Sequence, residues 1–419
     1  MTHNMSDSVN IVGSGIVGLI SAYKVHQKLR IPVRVYDAGP DPRAQRNHFH
    51  SFGASYSGLD ARHISITETG PWTDASREEL IERSPAEGGW NCLASVTKNQ
   101  YEAAWQQEFK SIARDADRHA TNSQQVFAAN KEGLMAWAEL HRRKPKLFAP
   151  IFDTNYLTII CTNEADLVDE YEGEKRLDEG RVKNLQHTMP VGYEPLDQKF
   201  RDGILHGSFT VAGNAYNIRK LCVNVIDYLE EHGVEFHWRN PISLVDGGDR
   251  VTELPPGDIV WASGVSGGMS SFLADKKILL QGVLGCWVDI PNQGFSHPFK
   301  IYGKEPTNFI NATPIGNRLL LSGGYGWVGT RAHAEVTKLA KPTMQAFLHE
   351  VSKFFFDGRA LSDKYPLATC IRPSLPSGVT QIEEITYQDR RVVTCIGHSA
   401  GGFTQSAHVA DVVVEKLSS

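Results

Sequence analysis

The sequence predicts an α/β (α+β) fold: a βαβ unit with a glycine turn, interleaved with a second domain built on a mixed sheet. Three stretches carry that prediction. Residues 9–37 read as strand, glycine turn, helix and strand. Residues 278–325 read as several strands parted by turns, and residues 392–417 as strand, glycine-rich turn and helix. A chain of 419 residues exceeds one simple core, because domains run to roughly 100–200 residues, so two are expected.

Composition narrows the function classes. At 41% hydrophobic and 22% charged, the chain has the apolar surface to offset the entropy of ordering, which excludes a disordered protein. The net charge of −5 leaves no basic excess to neutralise phosphates, so nucleic acid is not an expected partner. Six cysteines lie scattered without a CxxC pair, against zinc fingers and disulfide scaffolds. Residues 1–10 are polar with no basic leader pattern, and the apolar run from Val9 soon meets Ser21, Lys24 and His26, too early for a membrane span. A soluble, cytoplasmic protein of a reducing compartment, with no membrane partner and no metal, is the expectation.

The elements follow in order. An apolar strand at 9–12 leads into Gly13-Ser14-Gly15-Ile16-Val17-Gly18, a helix is expected over 19–29, and a second strand over 33–36 ends at Asp37 and Ala38. Gly13 permits the tight turn, Gly15 lets backbone approach a pyrophosphate, and Gly18 lets the helix lie close on the strand. The helix N-terminus, with Ser14, Ile16 and Val17, offers N–H groups and a positive dipole end to phosphates. Asp37, nineteen positions past Gly18, suits a ribose diol. This is a Rossmann-like dinucleotide unit; the motif alone does not separate FAD from NAD.

Helical spacing recurs at 77–83, 100–116 and 124–140, and the strongly charged stretch 166–186 reads as a solvated surface. A helix is expected over 214–231, strands at 233–238 and at 258–262, the latter closed by Gly264, then the strand-rich 278–325. A helix over 332–355, strands at 367–372 and 391–396, and a closing helix over 403–417 complete the chain. The expected division is a discontinuous cofactor domain of residues 1–75, 205–268 and 365–419, and a substrate domain of residues 76–204 and 269–364.

The second chemical signal is Gly397-His398-Ser399-Ala400-Gly401-Gly402-Phe403. Such a turn lets backbone N–H groups and a helix dipole face a ligand that gains negative charge, as a flavin does on reduction. An ordinary strand-to-helix turn is the other reading; together with the first motif, a flavin is favoured.

With these residues in view the chain resembles the flavin-dependent amine oxidases of the D-amino-acid oxidase, glycine oxidase and sarcosine oxidase type. Four blocks carry the resemblance: residues 11–18 with Asp37, residues 53–62 (GASYSGLDAR), residues 258–264, and Cys370-Ile371-Arg372-Pro373 with residues 397–402. The resemblance implies FAD, held through Gly13–Gly18, Asp37, Ala38, Ser57, Arg62, His63, Gly264, Gly397, His398, Gly401, Gly402 and Phe403. It also implies that Arg372 holds a substrate carboxylate, a task that suits a guanidinium fork; the other reading is a structural ion pair. Tyr56 and Tyr325 are candidates to line the substrate site or simply to pack, as are Tyr302, Asn308 and Trp327. Cys370 reads as a buried filler rather than a covalent flavin link, so FAD is expected to be non-covalent.

No nucleophile elbow, HExxH or phosphate-loop motif is present, and hydride loss from a neutral amine to a flavin needs none. The expected activity is oxidation of the C–N bond of a small-molecule amino acid or amine to an imine, with O2 reoxidising the flavin to give H2O2. The alternatives are an NAD(P)H-dependent flavin monooxygenase and a non-catalytic flavin-binding protein.

Overall fold

The computed structural model describes residues 7–44, 61–68, 70, 73–152, 155–242, 254–265, 278–303, 309–331, 333–361, 365, 367–387 and 389–419. Among the described residues fifteen strands form two sheets. In chain order they are β1 (Val9–Val12), β2 (Val33–Tyr36), β3 (Ala61–Ser65), β4 (Tyr156–Cys161), β5 (Lys183–Gln186), β6 (Gly207–Asn217), β7 (Glu235–His237) and β8 (Asp258–Trp261). There follow β9 (Gln281–Pro291), β10 (Phe299–Tyr302), β11 (Phe309–Ile315), β12 (Arg318–Gly329), β13 (Leu367–Ser374), β14 (Gln381–Tyr387) and β15 (Arg390–Ile396).

The first sheet has the order β14-β15-β8-β1-β2-β7 and is parallel except for its edge strand β14. All four residues of β1 are buried, as expected of a central parallel strand covered on both faces. The helices Ile16–Leu29 and Gly402–Ser418 pack together on this sheet. Lys24 joins them: its Nζ donates to the Ala407 carbonyl and the Asp411 carboxylate, each at 2.6 Å. Burial pulls this ammonium below its ordinary pKa, against the Asp411 carboxylate.

The second sheet runs β13-β9-β12-β11-β10-β4-β6-β3, with β5 added on β6. It is mixed: β10 and β4 pair in parallel, the remaining neighbours antiparallel. One face is sealed by the helix His333–Phe355, with Leu284, Cys286, Val288, Ile371, Phe347 and Val351 in a single core cluster. That leaves the other face of β9, β12 and β13 to the site described below. This two-sheet α/β arrangement is the fold class expected from the sequence.

Three local expectations are corrected. Residues 77–83 form no α-helix; a short 3-10 turn, Ala75–Arg77, is followed by turns. The helix expected from 214 begins at Ile218, because residues 214–217 extend β6 and pair with β3; Asn217 then caps the helix by accepting from the Lys220 N–H. The charged stretch from 166 is only partly solvated. Its helix, Glu164–Asp178, buries Asp166, Leu167 and Glu174 against the second sheet. Among the described residues no helix is long and apolar enough to cross a membrane.

Candidate active site at the carboxyl edge of the parallel sheet

Three glycine turns leave the carboxyl ends of three adjacent parallel strands. Gly13 follows β1, Gly264 lies just beyond β8, and Gly397 follows β15, and the strands sit side by side in the order β15-β8-β1. Loops beyond the carboxyl ends of parallel strands are where open α/β sheets bind ligands.

The glycines of the first turn do different work. A Cβ on Gly13 would sit 2.4 Å from the Ala262 carbonyl oxygen, and one on Gly18 only 1.8 Å from that of Gly13. Both are demanded by the packing of the turn on β8 and on itself. Gly15 is not: a Cβ there meets nothing within 4 Å among the described residues, and its φ of −62° and ψ of 174° suit any residue. The described residues leave that space open, at a helix start with no side-chain cap bond and no acid in the first turn. This fits an anionic cofactor lying against the backbone. The Ile16 and Val17 side chains enter the core, so only their backbone faces the turn.

Asp37 is more occupied than its motif role suggests. One carboxylate oxygen accepts from the Ser14 N–H at 2.7 Å and the Ser14 hydroxyl at 2.6 Å; the other accepts from the Gly39 N–H at 2.7 Å. Asp37 therefore braces the glycine turn to β2. An ionised carboxylate has about four acceptor positions, so capacity for one more donor remains. Ala38 is exposed beside it.

The second turn carries buried polar atoms. His398 is 4% exposed, and its Nε2 has no hydrogen-bond partner among the described residues. Burial pushes its pKa down to about 4, against the Gln405 side chain and the Cys395 backbone, so the ring is neutral. The Ser399 and Ser263 hydroxyls are likewise buried without partners. Ser399 has a φ of 51°, a left-handed conformation uncommon for a non-glycine residue. Gly401 is buried and Gly402 half-buried at the start of the closing helix. Phe403 differs from expectation: its ring packs edge-on to Trp137 at 4.9 Å and to Tyr216 at 5.3 Å, so its side chain belongs to the core.

On the second sheet Arg372 lies across β9. Its Nη1 donates to the Leu284 carbonyl at 2.9 Å and the Gly324 carbonyl at 3.3 Å. A Cβ on Gly285 would meet its Nη2 at 2.3 Å, so the glycine makes the bed for the guanidinium. Among the described residues Arg372 has no carboxylate partner, and its Nε and Nη2 remain available. The structural ion pair considered from sequence is absent there. Tyr325 lies under the guanidinium, 5.1 Å from ring centroid to Cζ, and against Trp90 and Phe309. Cys370 is buried with Trp287, Leu320 and Ala368.

Beyond Phe309 stands a charged cluster that sequence reasoning missed. The Lys300 ammonium lies 4.8 Å from the Phe309 centroid and 3.0 Å from the Glu68 carboxylate, with both side chains largely buried. The Asn311 amide donates to Glu68 at 2.8 Å, and Thr67 donates to Glu174. Burial would lower Lys300, but Glu68 outweighs it and holds the ammonium above its usual range. The only sequence signal was helical spacing: Asp166, Glu170 and Glu174 recur every fourth residue, one face of a helix. His63, 4% exposed, is tied to this sheet, its Nε2 lying 2.8 Å from the Thr313 hydroxyl, and burial pushes its pKa down to about 4. Tyr56, Ser57, Asn308 and the rest of residues 53–60 lie outside the described residues, as does the Arg62 side chain.

Glu174 yields a testable pH dependence. Burial raises its carboxyl from 4.5 to about 7, opposed by the Thr67 hydrogen bond and by Lys300. A raised carboxyl contributes stability that is complete below pH 4.5 and is lost as pH rises through about 7. Glu174→Gln should therefore raise the melting temperature at pH 8 and leave it nearly unchanged at pH 4.5. The pH 8 gain is on the order of 3 kcal/mol. Equal effects at both pH values would reject the buried-carboxyl account.

Comparison with known proteins identifies the family and the fold. Residues 8–416 match the family model described as FAD dependent oxidoreductase. Among solved structures, glycine oxidase from Geobacillus kaustophilus superposes with a TM-score of 0.57 at 15% identity, covering 99% of this chain and 94% of that one. Iminodiacetate oxidase from Chelativorans sp. BNC1 gives 0.55 at 14% identity over 97% and 94%. The fructosamine oxidase Amadoriase II from Aspergillus fumigatus gives 0.56 at 14% over 100% and 87%. No curated protein matches by sequence.

Proposed function

The chain belongs to the FAD-dependent oxidoreductase family whose model spans it, and on that premise we propose that it oxidises the C–N bond of a carboxylate-bearing amine, an amino acid or a close relative, to the imine. The observation that carries this reading is Arg372: a half-buried guanidinium with no carboxylate partner among the described residues, two donors available, and an aromatic ring beneath it. A guanidinium so placed suits a bidentate carboxylate.

The residues proposed to hold FAD are the backbone of Gly13, Ser14, Gly15, Ile16, Val17 and Gly18, the remaining acceptor position of Asp37, and the turns at Gly264 and Gly397–Gly402. Ala38, Ser57, Arg62 and His63 complete the assignment made from sequence, and attachment is non-covalent, with Cys370 acting as filler. The first sheet serves the cofactor and the second the substrate, with residues 1–75, 205–268 and 365–419 set against 76–204 and 269–364; β3, β6 and β13 reach from the former into the substrate sheet. When bound, FAD supplies the two-electron acceptor for the C–H bond beside the amine.

The chain's own residues bind and orient. Arg372 fixes one end of the substrate, Tyr325 shapes the floor beneath the guanidinium, and the Trp90 and Phe309 rings keep water from that floor. Tyr56 is assigned to the substrate lining as well. Holding a reacting C–H bond in one orientation is worth several kcal/mol of barrier. O2 is the proposed final acceptor, reduced to H2O2 as the amine becomes imine.

Anaerobic titration of the purified holoenzyme with pools of amino acids and amines tests this. Bleaching of the visible flavin band by a carboxylate-bearing amine, without nicotinamide, is the expected result. Bleaching by NADPH alone would overturn the reading in favour of a monooxygenase.

A further inference from the structure

Behind the second glycine turn a chain of polar side chains runs inward from His398. The His398 Nδ1 lies 3.3 Å from the Thr380 hydroxyl oxygen, and that hydroxyl lies 2.5 Å from the Gln405 side-chain oxygen. The Gln405 amide nitrogen donates to the Asn130 side-chain oxygen at 2.9 Å, and the Asn130 amide nitrogen donates to the Ile66 carbonyl at 2.6 Å. Gln405 is 1% exposed and Asn130 fully buried, so solvent cannot repair a mismatched pair.

The far end of this chain sets its polarity. The Ile66 carbonyl can only accept, so Asn130 must turn its NH2 toward it and its oxygen toward Gln405. Gln405 must then present NH2 to Asn130 and its oxygen to Thr380. Thr380 has one hydroxyl proton and spends it on Gln405. Facing His398, the Thr380 oxygen can therefore only accept, and Nδ1 must carry the ring proton. A neutral imidazole holds one such proton, which leaves Nε2 as a bare lone pair. Amide orientations and tautomers are ordinarily choices made to suit a network; here a backbone carbonyl removes the choice at every link.

We propose that Asn130, Gln405 and Thr380 form a positioning relay that locks His398 in the Nδ1–H tautomer, so that Nε2 accepts a hydrogen bond from a donor on bound FAD. This rests on the assignment of the Gly397–Gly402 turn to the cofactor. Nε2 is buried and lacks a partner among the described residues, a state that costs stability unless a ligand donor meets it. Burial also holds the ring neutral across the physiological range. A flavin carries such donors in its ring N3–H and its ribityl hydroxyls. The relay therefore selects for a donor at this place and against a bare acceptor.

The test uses holoenzyme containing 15N-labelled histidine. The His398 signals are assigned by their loss in His398→Gln. The expected spectrum has a proton bonded to Nδ1 and an Nε2 shifted from the free lone-pair position as a hydrogen-bond acceptor. In Gln405→Met the Thr380 proton loses its acceptor and turns to Nδ1 in competition with the Cys395 backbone beside the ring, so an Nε2-protonated population absent from the parent appears. FAD should then leave the diluted holoenzyme about tenfold faster, the scale of one lost hydrogen bond. Thr380→Ser keeps the hydroxyl and should leave tautomer and FAD loss unchanged.

A proton on Nε2 in the unaltered holoenzyme overturns the relay, and that measurement needs no variant to fold. A free, unbonded Nε2 in the presence of FAD overturns its role toward the cofactor. The measurement needs only bound FAD. If no amine bleaches the flavin, the substrate reading fails while the relay stands or falls on its own spectrum.

Discussion

Gly15→Val is expected to give a folded, colourless protein. A Cβ at Gly15 meets no atom of the described residues within 4 Å, and the backbone there is already extended. The substitution should leave the unfolding free energy within about 1 kcal/mol of that of the FAD-free parent, the range of substitutions that disturb no packing. It would fill the space assigned to the FAD pyrophosphate and should weaken FAD by at least about a hundredfold, some 3 kcal/mol. Gly18→Ala is the matched control. Its Cβ would lie 1.8 Å from the Gly13 carbonyl oxygen, so the strand–helix packing itself must give way and soluble protein should be lost. Gly15→Val that keeps its yellow colour would remove this turn from the cofactor site.

The second large effect belongs to Arg372. Arg372→Lys retains a positive charge but not the planar fork, and Arg372→Leu retains neither. Both should keep bound FAD, because Arg372 is proposed to touch substrate rather than cofactor. With a carboxylate-bearing amine, kcat/KM should fall about a hundredfold in Arg372→Leu, on the scale of a lost charge-assisted pair. An amine of similar size without a carboxylate should be affected far less. The contrast matters because Arg372 also bonds the Leu284 and Gly324 carbonyls, so its removal disturbs local structure as well. Equal loss for both amines would mean that Arg372 serves only to hold β9 and β12 together.

Local steric signals made much of the fold legible. The helix expected at 19–29 lies within Ile16–Leu29, and the closing helix expected at 403–417 lies within Gly402–Ser418, because apolar periodicity and glycine turns act over a few residues. Where sheet pairing competes with helical pattern, the local signal failed. Residues 214–217 satisfy a helical pattern yet complete β6, since their backbone groups find partners on β3. Residues 77–83 have helical spacing but too few residues to hold a helix against the turns that follow. The stretch after Glu164 reads as solvent-facing from charge alone. Thr67 and Lys300 offset the burial of Glu174, and the Asn163 amide donates to Asp166, partners that charge alone does not reveal.

The candidate site divides along the same line. By itself the sequence determined the GxGxxG turn and its acid, the second glycine turn, and Arg372 beside Pro373, because each is a short-range pattern imposed by backbone sterics or by ligand chemistry. Tertiary structure alone decided that Asp37 braces Ser14, that Gly285 beds the Arg372 guanidinium, and that Lys300 meets Glu68. It alone decided which way the Asn130–Gln405–Thr380 chain donates. Asn130 and Gln405 stand 275 residues apart, and no local pattern links them. The direction of every bond between them follows from one carbonyl, that of Ile66, which only the folded chain brings within reach.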